Sequence, residues 1–192
     1  MRTFIAIDFD KRLKNGIADL QTRIRNKASS GRWKYIDNFH LTLKFLDEIN
    51  DIQLYDINTN LKEVCCNNRS FTLNVAKLGY FPGKGSIRVL WLGFEGDLES
   101  LQSLHQDIDN SLYTLGFEEE DRKYTPHVTI GQDVILNEDL TKLTDCFDEM
   151  DFEPIDVNSV CLFKSEQIGK KRVYTKIGEY FLYNKKIISH RR

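Results

Sequence analysis

Four residues occur twice in this chain of 192: His40-Leu41-Thr42-Leu43 returns, 87 positions later, as His127-Val128-Thr129-Ile130. No other feature restricts the fold as much. In each stretch polar and apolar residues alternate, the period of a strand buried on one face and open on the other. His and Thr therefore share the open face, while Leu41, Leu43, Val128 and Ile130 turn to the core. The chain has only 4 histidines, and two of them stand in matching settings.

The repeat runs beyond the motifs. Asp10 and Asp97, also 87 apart, each precede an amphipathic helical pattern, and Phe4 matches Trp91 at the same offset. The first helix carries Leu13, Ile17, Leu20 and Ile24 and ends at Ser29-Ser30-Gly31; the other runs from Leu98 to Leu115 with Gly116 as its C′ residue. Each half, about 1–86 and 87–192, reads strand, capped helix, His-Thr strand, helix, strand. Strands are expected at 3–9, 39–46, 71–78, 87–94, 156–164 and 172–182, and further helices at 51–64 and 137–147. Gly79 to Gly85 reads as a turn-rich hairpin loop. A repeat this long is a duplicated lobe about a pseudo-twofold axis, not a solenoid unit. The expectation is one bilobal α+β domain over 1–192, with both His-Thr strands across a single cleft.

A formal net charge of −2 gives no global positive field for long nucleic acid, so an anionic substrate must be held by local groups. The basic tail, Lys185-Lys186 and Arg191-Arg192, reads as a solvated end, as do His190 and the acidic run Glu118 to Asp121. Nothing resembles a signal peptide and no apolar run could span a bilayer, so no membrane partner is expected. Cys65, Cys66, Cys146 and Cys161 suit neither zinc nor a disulfide framework; reduced thiols in a cytoplasmic monomer are expected. Neither motif has a second ligand at metal spacing, so no metal and no cofactor are expected.

Two imidazoles across a cleft form an acid–base pair near neutral pH. One can take a proton from water while the other gives one to a leaving alkoxide, and the threonine hydroxyls can donate to oxygens that gain charge. In-line displacement at phosphorus needs these groups on opposite sides.

HLTLKF at 40–45 and PHVTI at 126–130 resemble the paired HxTx signatures of the 2H phosphoesterase superfamily. MRTFIAIDF, the RW at 32–33, RVLWLGF at 88–94 and LFKS at 162–165 are similar to its RNA 2′,3′-cyclic phosphodiesterase branch, the 2′–5′ RNA ligase-like proteins. The resemblance implies a bilobal α+β fold with an antiparallel-dominated sheet in each lobe, outer helices and a cleft between lobes. It also implies metal-free hydrolysis of a terminal 2′,3′-cyclic phosphate on RNA or a nucleotide to a 2′-phosphate. His40 would protonate the leaving 3′ oxygen, His127 would activate water, and Thr42 and Thr129 would hold the non-bridging oxygens.

There are two departures. The family often has Ala-Arg after its second motif where this chain has Gly131-Gln132, and usually glycine where it has Asp47. Gln132 donates only neutral hydrogen bonds, so Lys164, Arg88 and Arg172 are the candidates to replace the missing charge. A second reading follows, an RNA-end binding module without turnover; a third keeps the chemistry on 2′–5′ linkages or small cyclic nucleotides. Trp33, Tyr35, Tyr124 and Phe81 either stack on a base or pack, whereas Trp91 is expected in the core and His105 in a structural setting.

Overall fold

In the computed structural model, which describes residues 1–119, 123–137 and 141–184, Asp10 accepts a hydrogen bond from the Leu13 amide at 2.8 Å and caps α1 (Lys11–Arg25). Asn50 and Gln53 form a capping box on α2 (Asp51–Asn67). Asp97 caps α3 (Leu98–Tyr113), accepting from the Ser100 amide at 3.0 Å. Gly116, at φ +86°, turns the chain out of that helix, as its place in the sequence predicts. A fourth helix, α4, spans Thr141–Asp148. Its expected start at 138–140, Glu120 and Asp121 of the acidic run, His190 and the basic tail lie outside the described residues.

Among the described residues the strands form two antiparallel sheets. The first contains β1 (Arg2–Asp8), β3 (His40–Glu48), β8 (Ser159–Ile168) and β9 (Lys171–Phe181), in the order β3-β1-β8-β9. The second contains β2 (Ala28–Trp33), β4 (Phe71–Pro82), β5 (Ile87–Gly96), β6 (His127–Leu136) and β7 (Ile155–Val157), in the order β2-β6-β5-β4-β7. The repeat is visible here as an exchange. β3-β1-β8 is arranged as β6-β5-β4 is, so each sequence half gives its later strand to the sheet built on the other's motif. Helices α2 and α3 pack on the first sheet, and α1 and α4 on the second. Ile17, Leu20 and Ile24 of α1 and Leu101, Leu104, Ile108 and Leu112 of α3 are fully or almost fully buried, as their spacing requires.

The sheets share a second signature. β3 skips one residue against β1 between Thr42 and Lys44, and β6 skips one against β5 between Thr129 and Gly131. These matching bulges lie 87 residues apart and shift the alternation by one. In β6, Ile130 and Gly131 both turn to the core, and Gln132 returns to the face of His127 and Thr129. Asp47, where the resemblance leads one to expect glycine, has φ +53°, a left-handed conformation that aspartate tolerates better than most residues.

Two expectations are corrected. β2 is a strand where the sequence reads as a helix end; Ser29-Ser30-Gly31 has no apolar period because β2 is an edge strand held by its ladder to β6. The expected loop from Gly79 is strand as far as Pro82. Gly79 lies opposite Trp91, and a Cβ there would come within 2.3 Å of the indole. This glycine seats a ring instead of making a turn. Gly79→Ala is expected to lower unfolding stability by about 1–3 kcal/mol, the usual cost of overpacking, as read by urea denaturation.

Candidate active site

The bulged registers set His40 and Thr42 on one face of β3, and His127 and Thr129 on one face of β6. Each imidazole rests on an aromatic ring from the neighbouring strand. For His40 this is Phe4, 4.7 Å away between centroids, with Tyr174 edge-on at 5.3 Å and Phe163 at 6.2 Å. For His127 it is Trp91 at 6.1 Å, with Phe81 edge-on at 5.6 Å. Phe4 and Trp91 are the pair that the repeat matches. Trp91, expected in the core, is therefore half-buried on the face of β5 that carries Thr129's neighbour.

His127 Nδ1 lies 2.7 Å from the Thr125 carbonyl oxygen. A carbonyl only accepts, so Nδ1 carries a proton and Nε2 is left as the ring nitrogen with a lone pair. His40 Nε2 is 3.1 Å from the hydroxyl of Thr42. Burial pushes the His40 pKa down to about 4. A backbone hydrogen bond with Asn38 and the charge of Asp8 oppose that shift, and Lys34 and Lys14 add to it. The imidazole of the free protein is thus neutral at pH 7.

The two motifs are fastened together. The Tyr124 hydroxyl donates to the Thr42 carbonyl at 3.0 Å, and the Tyr124 ring stacks on buried His105, 3.9 Å away. Gln21 Nε2 of α1 donates to the carbonyls of Lys34 (2.9 Å) and Ile130 (2.8 Å). β3 and β6 touch where the sheets meet.

The remaining expected residues separate. Gln132 is on the open face of β6. Tyr124 ties one motif to the other through its hydroxyl and stacks on His105 instead of standing open to a base. Lys164 lies opposite Thr3, on the other face of the sheet from Phe4 and Phe163, and pairs with Glu166 at 2.7 Å. Arg88 is exposed near Gly83 in the β4–β5 hairpin. Arg172 instead borders a cavity of about 150 Å³ with Phe4, Phe45 and Tyr174, of which Phe4 and Tyr174 are also the rings against His40. Phe45 is 59% exposed there. A larger cavity, about 530 Å³, is rimmed by Asp8, Asp10, Asp151, Glu153 and Asp156, a sign that repels phosphate. Sequence reasoning missed Lys34 and Tyr174; the only signal for Lys34 was its position between Trp33 and the first motif.

A family model described as the 2′-5′ RNA ligase superfamily matches residues 9–168. The chain belongs to that superfamily, one of the 2H phosphoesterases. A protein of Thermotoga maritima named RNA 2′,3′-cyclic phosphodiesterase is 34% identical over 157 residues, covering 82% of this chain and 81% of its own length. One of the same name from Methanocaldococcus jannaschii is 32% identical over 184 residues, 94% of this chain and 100% of that one. Among solved structures, E. coli LigT complexed with 3′-AMP superposes with a TM-score of 0.79 at 23% identity, covering 94% of this chain and 97% of that one. The superfamily's α+β fold with antiparallel sheets is thus the fold of this chain, as its sequence leads one to expect. Among the described residues the four cysteines are free thiols, and no helix is long and apolar enough to cross a membrane.

Proposed function

We propose that this chain hydrolyses a terminal 2′,3′-cyclic phosphate on RNA or a nucleotide to the 2′-phosphate, with His40 and His127 exchanging the protons and no metal taking part. What carries the reading is the duplicated imidazole–threonine pair, each on its own aromatic ring, with the second motif held to the first by the Tyr124 hydroxyl on Thr42. Relatives named RNA 2′,3′-cyclic phosphodiesterase point the same way. Nε2 of His127 takes a proton from water as the water oxygen bonds to phosphorus. The bond from phosphorus to O3′ breaks, and O3′ takes a proton from His40. The hydroxyls of Thr42 and Thr129 donate to the non-bridging oxygens, which gain charge in the transition state. Solvent then restores both protonation states. Phe45 and Arg172, in the cavity bordered by the Phe4 and Tyr174 rings that flank His40, offer a stacking face and a cation to the attached nucleoside. A reducing cytoplasm as its setting is supported by its free thiols.

The pH dependence follows from His40. A neutral base and a charged acid give a bell-shaped rate. In kcat/KM, which reports the free protein, one of the two midpoints is at about 4, the pH above which His40 loses its proton. Bound phosphate raises that pKa, so the corresponding midpoint of kcat lies nearer neutrality. A flat profile from pH 4 to 8 overturns the scheme.

One observation favours a second assignment, with acid and base exchanged: His40 is held neutral. A cyclic substrate with sulfur in place of O3′ decides it, because a thiolate leaves without protonation. Activity with this substrate should return in His40→Ala and stay lost in His127→Ala; the reverse exchanges the roles. The overall test is turnover of a cyclic-phosphate oligonucleotide in EDTA, which should equal turnover without it. Tight binding with no turnover would mark an RNA-end binding module.

A further inference from the structure

Lys34 follows the last residue of β2, and its backbone is held on both sides. Its amide donates to the Ile130 carbonyl at 3.1 Å, and its carbonyl accepts from Gln21. Trp33 is opposite Gly131, and a Cβ on Gly131 would meet its indole at 3.1 Å, so Trp33 faces the core. Alternation turns Lys34 to the other face, that of Thr129 and Gln132. Beyond Thr129, the next residue that β6 presents on that face is neutral Gln132.

Lys34 is half-buried, and among the described residues no carboxylate pairs with it. The surrounding cations differ. Lys14 is 2.7 Å from Asp8, Lys176 is 3.2 Å from Asp8, and Arg32 bonds to Asp133 at 2.8 Å. The charges that act on Lys34 are those of Arg32 and Arg172, both positive, and with burial they push its pKa below that of an ordinary lysine. A desolvated ammonium with cations for neighbours is costly until an anion arrives. Its own charge reaches His40. The point that an anion must occupy to serve Lys34 is therefore between the His40 imidazole and the face of Thr129.

We propose that Lys34 holds a non-bridging oxygen of the substrate phosphate, supplying from the β2–β3 connection the charge that β6 lacks. The inference rests on the phosphodiesterase reading for its substrate, though not for its anion. It also gives Lys34 a second effect. In the free protein burial holds His40 unprotonated, and the charge of Lys34, with that of Lys14, adds to that effect; a bound phosphate cancels the added repulsion and so favours the proton that the imidazole must give. Asp8, Lys14, Lys176, Arg172 and Tyr174, the other titratable or charged groups around His40, stay in place throughout.

The test compares wild type, Lys34→Met and Lys34→Arg, all with unchanged thermal unfolding. Inorganic phosphate is titrated while the His40 ring proton is followed by NMR, and KM and kcat are measured on a cyclic-phosphate dinucleotide. Lys34→Met should bind phosphate at least tenfold more weakly and raise KM by a similar factor. Its free His40 should titrate above the wild-type midpoint of about 4, because a repelling charge is gone. Lys34→Arg should restore affinity to within a few-fold. Phosphate affinity in Lys34→Met within twofold of wild type, or an unmoved His40 midpoint, overturns the proposal. A wild type without turnover overturns the phosphodiesterase reading instead, and the phosphate titration still decides Lys34.

Discussion

Replacing either His40 or His127 with alanine is expected to lower kcat by roughly 10²–10⁴-fold, the usual contribution of a positioned acid or base, with the fold retained. Retention follows from the surroundings: each ring is half-buried on its sheet face, outside the apolar core, and the aromatic beneath it is held by its own strand. The double variant should lose little more than the worse single one, since the two imidazoles act in one proton cycle and such effects are far from additive. Steady-state kinetics on a cyclic-phosphate oligonucleotide checks this. Two losses that multiply, or full activity in His40→Ala, would mean that the histidines do not share a phosphorus atom.

The second large effect is on stability. Lys44 and Asp109, with side chains 2% and 7% exposed, form an ion pair between β3 and α3. Lys44 also donates to the Glu118 carbonyl at 2.7 Å. Asp109→Ala leaves that ammonium buried without its anion, and the expected cost is about 3–5 kcal/mol in urea unfolding at pH 7. The double variant Lys44→Met with Asp109→Leu should recover most of the loss, because replacing a buried pair by apolar groups of similar volume is often close to neutral. If the single variant unfolds within 1 kcal/mol of wild type (far below the roughly 3 kcal/mol expected), the pair is not what fastens α3 to the motif strand.

Much of this arrangement is written locally. Asp10 and Asp97 cap the helices they precede, Gly116 ends the second of them, and the alternation around His40 and His127 places them correctly, because caps and strand period depend on near neighbours. What depends on distant partners was not legible. Ser29-Ser30-Gly31 is a strand only because β6 offers a ladder, and Gly79 stays in its strand only because Trp91 needs the space. Tyr124 reads as a ring that either stacks or packs, and its hydroxyl's tie to Thr42 depends on a partner 82 residues away. Lys34 has no sequence signal beyond its position between Trp33 and the first motif: its meaning lies in the carboxylate it lacks. Nor does the repeat announce that its later strands trade places.

That trade has a consequence for biosynthesis. β8 lies between β1 and β9, and the bed of His40 includes Phe163 and Tyr174. A nascent chain therefore cannot complete the pocket around its first histidine until its last strands leave the ribosome. Cut at the midpoint, neither fragment contains a whole active site or a whole sheet; mixed, the two could regain turnover only together.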